Sequence, residues 1–333
     1  GLKKAAVGCH EYSGHPVQER MMQYHGTQCG FCTPGMVMQM WGGLTQHKAA
    51  GGKNLSEEEV ENLDLLAGNL CRCTGYRPIS DCLKSFAKDS TVSFPEAAKG
   101  PYETKGNDPK FPEFLAPKPG SEESKGFARP STLKALKAVW NPDKVVISGH
   151  TGWGVYPELY ALRPLIGAPS VVQIDAVSEL NKIERNGDRL IFGSSVKLND
   201  LAFALEENKG KVSNPVREHI LLIAGHQVRN LGSVGGNLMM VKRKGFASDL
   251  ATILSCADGF VTYLNARKRE VSKPLLEFLS SDRDEACLLL KISICLGAEE
   301  DGPSMISYRS ALRPRNAYSF INAAMLYSVK EGF

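Results

Sequence analysis

Gln28-Cys29-Gly30-Phe31-Cys32-Thr33-Pro34-Gly35-Met36 and, farther on, Gly68-Asn69-Leu70-Cys71-Arg72-Cys73-Thr74-Gly75-Tyr76-Arg77-Pro78 set four cysteines in two tight pairs, one spaced C-x-x-C and the other C-x-C. Behind the first pair, Met36, Val37, Met40, Trp41 and Leu44 recur at helical spacing; behind the second, Ile79, Cys82, Leu83 and Phe86 do the same. This periodicity predicts a helix after each pair, with a threonine placed to cap it and a proline suited to its first turn. Thiols just ahead of a helix N-terminus face unpaired amides and the positive end of the dipole, which lower their pKa and favour an anionic ligand. Arg72 and Arg77 add charge of the same sign.

Four thiolates delivered two by two suit a bimetallic iron–sulfur centre, because its anionic cluster needs donors and positive potential around it. A structural zinc site also takes four thiolates, though it more often presents two C-x-x-C knuckles. Two disulfides are the third reading. No signal peptide and no apolar run long enough to span a bilayer is read, so a reducing, cytoplasmic setting away from membranes is expected, and disulfides fit it poorly. The other five cysteines, Cys9, Cys82, Cys256, Cys287 and Cys295, stand singly and read as ordinary buried thiols.

With 333 residues, 42% hydrophobic and 23% charged, the chain is long enough for two or three domains with cores of their own. A net charge of +4 spread over scattered Lys and Arg, with no basic stripe interleaved by aromatics, argues against a nucleic-acid partner. Residues 12 to 88 read as helical, with Pro16 opening one helix and Ser56 with Glu59 forming a capping box. From Asp89 to Arg129 the composition turns to Pro, Gly, Lys, Glu and Ser, the mark of a surface linker.

Beyond Pro130 the pattern mixes. Ser131 is placed to cap a helix through Leu133, Leu136 and Val139, and strands are read at Val145 to Ile147, Val171 to Ile174 and Arg189 to Phe192. An Asn186-Gly187 turn and a helix from Leu198 to Leu205 complete the reading. Irregular alternation predicts α+β rather than a doubly wound sheet. No dinucleotide fingerprint and no phosphate-binding G-x-x-x-x-G-K occurs. Two glycine loops, Gly149-His150-Thr151-Gly152-Trp153-Gly154 and Gly232-Ser233-Val234-Gly235-Gly236-Asn237, would let backbone amides approach phosphate oxygens, although glycine clusters more often mark plain turns.

The two cysteine stretches, together with His15-Pro16-Val17-Gln18-Glu19-Arg20, resemble the helical 2Fe-2S domain of the xanthine dehydrogenase and aldehyde oxidase family. The resemblance implies a four-helix arrangement with Cys29, Cys32, Cys71 and Cys73 as iron ligands, a cluster lying nearest the molybdopterin, and pterin contacts from Gln28 and Cys73. The run Lys144-Val145-Val146-Ile147-Ser148-Gly149-His150-Thr151-Gly152-Trp153-Gly154, then Ser233 to Asn237, then Ser248-Asp249, resembles the FAD-binding domain of the same family in the same order. Carried across, Val146, Ile147, Ser148, Gly149, His150, Thr151, Gly152 and Trp153 would wrap the FAD diphosphate. Ser233, Val234, Gly235, Gly236 and Asn237 would form a second phosphate-facing loop, Asp249 would meet the ribityl or flavin region, and Leu289 and Arg309 would be further flavin neighbours. Three positions depart: His150 stands where the family usually has Asn, Ile223 where an aromatic residue often flanks the flavin, and Arg309 where some members have Lys.

The spacer from Met239 to Leu254, with its basic insertion, is most similar to the plant aldehyde oxidases. The resemblance therefore implies a helical 2Fe-2S bundle (1–88), a linker (89–129), an α+β FAD-binding domain of the molybdopterin-dehydrogenase type (130–297) and the start of a further flavoprotein domain (298–333). Family members oxidise an aldehyde or purine at molybdenum and pass electrons through two 2Fe-2S clusters to FAD. Neither the ferredoxin-like domain nor the molybdopterin domain is read in this chain. The expected function is an electron-transfer segment of an aldehyde oxidase-like homodimer, inactive toward aldehydes by itself; the alternative is a zinc- or cluster-stabilised scaffold with a vestigial flavin fold.

Overall fold

A computed structural model describes residues 14–49, 55–92, 126–154, 170–298, 302–314 and 317–328. The chain divides into two compact units between Ala116 and Pro117. Most of the predicted linker, together with Cys9, lies outside the described residues.

The first unit holds four helices: α1 (Pro16–Gln23), α2 (Thr33–Ala49), α3 (Glu57–Asn62) and α4 (Arg77–Lys84). His15 caps α1 through its ring nitrogen and Gln18 reaches back to the His15 amide, while Ser56 and Glu59 form the expected box at α3. The helical stripes close on one another, with Val17, Met21, Met36, Met40, Val60, Leu65, Ile79 and Cys82 all buried. Arg20 ties α1 to the end of α4: its guanidinium donates to the Ser85 carbonyl at 2.6 Å and stacks 4.1 Å over the Phe86 ring. The turn from Leu63 to Gly68 absorbs the chain between α3 and the second cysteine pair through positive φ at Asp64 and Gly68.

The second unit is α+β. A small parallel sheet of order β1-β3-β2 joins β1 (Phe127–Ala128), β2 (Val145–Ile147) and β3 (Val171–Gln173), covered by α5 (Leu133–Val139). Thr132, not Ser131, caps α5 by accepting from the Ala135 amide at 3.2 Å; Ser131 instead offers its carbonyl to Ser178. A five-stranded antiparallel sheet of order β4-β5-β8-β6-β7 is built from β4 (Ile183–Asn186), β5 (Arg189–Gly193), β6 (Phe260–Asn265), β7 (Glu270–Pro274) and β8 (Cys287–Cys295). The predicted Asn186-Gly187 turn joins β4 to β5, with Gly187 at φ 59°.

Against this sheet pack α6 (Leu198–Glu207), α7 (Ser213–Leu221), α9 (Val234–Lys244), α10 (Asp249–Cys256) and α11 (Leu275–Ser280), while α8 (His226–Leu231) packs on α6. The shared core includes Phe192, Leu201, Val216, Leu238, Ile253, Tyr263, Phe278 and Ile292. A last hairpin, β9 (Ser304–Ala311) with β10 (Ser319–Tyr327), puts Met305 into that core. Its other face exposes Ile306, Tyr308, Phe320 and Met325.

Candidate functional site

In the helical unit the two cysteine pairs meet crosswise. Cys29 lies against Cys73, and Cys32 against Cys71, so each contact takes one thiol from each motif. Cys32 stands at the start of α2, its carbonyl accepting from the Met36 amide at 3.0 Å, so the cysteine takes the capping position that the sequence offered to Thr33. The Thr33 hydroxyl bonds Thr27 instead, at 2.7 Å.

The second pair is held by its own loop. The Thr74 hydroxyl sits 3.0 Å from Cys71 Sγ, the Thr74 amide donates to the same sulfur at 3.5 Å, and the Tyr76 hydroxyl accepts from the Cys71 amide at 2.9 Å. Asn69 bonds Gln39 on α2, and a Cβ on Gly35 would come within 2.5 Å of the Asn69 carboxamide, so glycine is what allows this loop onto the helix.

Electrostatics follow from these donors. Hydrogen bonds from the Thr74 hydroxyl and amide bring the Cys71 thiol down to about 7, and the Phe31 amide, followed by the Cys73 thiol, lowers Cys29. Their partners move the other way: burial raises Cys32, and the bond to Cys29 raises Cys73. Each contact thus pairs a thiol ready to ionise with one that donates to it. Among the described residues no group of three or more His, Cys, Asp or Glu side chains is gathered around one point. A donor set that comes in twos, one pair at the start of α2 and the other in the loop ahead of α4, fits a 2Fe-2S cluster that Cys29, Cys32, Cys71 and Cys73 would hold. Gln28 is exposed beside Cys29.

The solitary cysteines differ. Burial pushes Cys82 up to about 12. Cys287 is buried too, whereas Cys256 and Cys295 are only half-buried, less enclosed than their sequence context suggested.

In the mixed unit, a cleft of about 560 Å³ opens between β2, α9 and the start of β8. Its walls are apolar, from Trp140, Val146, Ile174, Met239, Met240 and Leu289, and Lys144, Arg243 and Lys244 contribute positive charge. Of the residues that sequence assigned to a dinucleotide, Val146, Ser148, Ser233, Gly235, Gly236 and Leu289 line it. The two glycine loops pack on each other: a Cβ on Gly149 would fall 1.6 Å from the Leu231 carbonyl oxygen, and one on Gly152 2.8 Å from Met240 Sδ. His150 holds φ 57°, a left-handed position that His and Asn both tolerate, and burial lowers its pKa. Ile147 ends β2 and Thr151, Gly152 and Trp153 form a 3-10 turn; the Trp153 side chain is outside the described residues.

The second loop departs from its expected use. The Val234 amide donates to Val196, Gly235 to Ser194, Gly236 to its own cap Ser233, and Asn237 to the Ser233 carbonyl, so these four amides already serve α9 and its neighbours. The Asn237 carboxamide accepts from Ser248 at 2.5 Å. Asp249 faces Arg309 at 2.7 Å and Ser319 at 2.5 Å, an ion pair 4% and 13% exposed that binds the last hairpin to α10.

A contact no motif signalled is that of Lys197, whose backbone bridges Ser233 and whose ammonium lies 3.5 Å from Ser148 Oγ. Burial lowers its pKa, opposed by Asp175 and Asp200. Ser194, also missed, is 2% exposed in the wall of the cleft, and its hydroxyl has no hydrogen-bond partner. Apolar walls, an orphaned hydroxyl and a cation beside the first loop fit an adenine dinucleotide such as FAD.

Each of the two units overlaps a known domain family. Residues 4–84 match the [2Fe-2S] binding domain family, and residues 123–294 match the FAD binding domain in molybdopterin dehydrogenase. Among solved structures, quinoline 2-oxidoreductase from Pseudomonas putida 86 superposes with a TM-score of 0.49 at 20% identity, over 62% of this chain and 70% of that one. Indole-3-acetaldehyde oxidase of Arabidopsis thaliana is 33% identical over 351 residues, covering 95% of this chain and 26% of that protein. Its namesake in Zea mays is 34% identical over 358 residues, covering 94% and 25%. The chain belongs to the aldehyde oxidase and xanthine dehydrogenase family of molybdo-flavoenzymes and carries that family's 2Fe-2S-binding and FAD-binding domains. It spans about a quarter of the length of the curated relatives it matches. Among the described residues no helix is long and apolar enough to cross a membrane.

Proposed function

We propose that this chain is the electron-carrying segment of an aldehyde oxidase-type enzyme, taking electrons released when an aldehyde is oxidised at a molybdopterin centre and delivering them to FAD. The complete enzyme would act as a homodimer in the cytoplasm. The observation that carries this reading is the crosswise meeting of Cys29 with Cys73 and Cys32 with Cys71.

When bound, the cluster supplies one-electron transfer and FAD couples it to two-electron chemistry. The protein's own part is to hold and tune. Cys29, Cys32, Cys71 and Cys73 would ligate the irons, with the Thr74 hydroxyl and the amides of Phe31 and Thr74 offsetting thiolate charge. In the cleft, Val146, Met240 and Leu289 would exclude water from the dinucleotide, and Lys197 and Ser148 would face its diphosphate.

Anaerobic dithionite titration of the full chain tests the assignment. We expect uptake of about three electron equivalents per chain, one at the cluster and two at the flavin. A colourless protein with one zinc, taking up none, overturns it.

A further inference from the structure

Two adjacent serines close the end of β5, and they are treated differently. Both are buried. Ser195 donates its hydroxyl to the Ile174 carbonyl at 3.2 Å. Ser194 has its backbone fully engaged, its amide donating to Leu290 at 2.8 Å and its carbonyl accepting from Gly235 at 2.9 Å, yet its hydroxyl bonds nothing.

The backbone leaves that hydroxyl little choice of surroundings. Gly193 before it is pressed on Leu180, where a Cβ would meet the carbonyl oxygen at 2.1 Å, and a Cβ on Gly235 would lie 2.7 Å from the Ser194 Cβ. The side chain therefore stands in the cleft wall with Val146, Ile174 and Leu289. The other hydroxyls there are occupied: Ser233 Oγ caps α9 and Ser148 Oγ accepts from Lys197. A buried hydroxyl without a partner destabilises the fold that carries it, and folded proteins pair such groups with few exceptions. Alanine at position 194 would fill the same backbone without that cost, so the hydroxyl is placed to take a partner from outside the chain.

We propose that Ser194 is a specificity-determining residue that donates its hydroxyl to an acceptor on the adenosine half of the flavin dinucleotide, favouring FAD over FMN. This rests on the flavin reading of the cleft given above. An apolar wall carrying an inward hydroxyl suits a nucleobase or ribose, whereas the charged groups near the first loop suit phosphate. The neighbouring cations Lys144, Arg243 and Lys244 do not replace this donor, because a site built around a hydrogen bond discriminates by leaving it unmade.

The test uses the full chain, stripped of flavin, titrated with FAD and with FMN by flavin fluorescence, alongside its ligand-free melting temperature. In Ser194→Ala we expect FAD affinity to fall about five- to tenfold, FMN affinity to hold, and the ligand-free melting point to stay level or rise by about 1–3 °C. Ser194→Cys, which keeps the shape but donates weakly, should fall between. Unchanged FAD affinity in Ser194→Ala, an equal loss for FMN, or a lower ligand-free melting point would each overturn the inference. If the wild-type chain takes up no FAD, the flavin reading itself falls, and this inference with it.

Discussion

The thiol site of the helical unit and the cleft of the mixed unit are assembled in opposite ways. Four sulfurs come from two short stretches, 29–32 and 71–73, and the two lowered thiols, Cys29 and Cys71, owe their shifts first to an amide and a hydroxyl of the same loops. The cleft draws on residues from Trp140 to Leu289, and its most telling group, Ser194, belongs to neither glycine loop, nor does Lys197, which reaches the lining residue Ser148. A site whose donors are neighbours in sequence depends on local capping, whereas a site whose donors are far apart depends on the core that brings them together. Changes in the first unit should therefore act on cofactor content, and changes in the second should act on folding first.

The largest effect separates the two. Cys71→Ser should bring iron in the purified chain from about two per molecule to nearly none, while flavin content is unchanged. Metal analysis beside the flavin absorbance reads both, and joint loss would show that the sites do not stand apart.

Next comes the ion pair that fixes the last hairpin. Arg309→Ala leaves Asp249 in a site where both side chains are mostly covered, and should destabilise the mixed unit by about 3 kcal/mol in urea unfolding, with iron content held. Gly149→Ala should cost somewhat less, about 1–3 kcal/mol, because the new Cβ meets the Leu231 backbone, and flavin uptake should weaken with it. Loss of cluster in either variant would break the contrast.

The smallest effect is a matter of pH. In cluster-free protein the Cys71 thiol is held near 7 by Thr74, so its alkylation by iodoacetamide should rise with pH and reach half its limiting rate near pH 7. A lowered pKa means more thiolate at a given pH, hence faster reaction below the ordinary thiol range. Thr74→Val should shift that midpoint upward, toward about 8.5. Cys82, pushed up to about 12 by burial, should stay unlabelled until the unit unfolds.

These regions also differ in how legible they were. The helical unit could be read closely: the doublets, the Ser56 and Glu59 box and the stripe Met36, Met40, Leu44 are local patterns, and the structure keeps them. Thr33 was misread as the cap because Cys32 and Thr33 are adjacent and spacing alone does not rank them. In the mixed unit, strands such as Val145–Ile147 and the Asn186-Gly187 turn were visible, as was the α+β character. What sequence could not show was which amides remain free: those of Val234 and Gly235 go to Val196 and Ser194, partners set by tertiary packing. The same holds for Ser194, whose lack of a partner has no signature in a string of letters.

Iron with acid-labile sulfide per full chain measures most directly whether the two cysteine motifs enclose one two-iron centre. About two of each, with zinc near zero, is the result this account expects. One zinc per chain with no sulfide would contradict it.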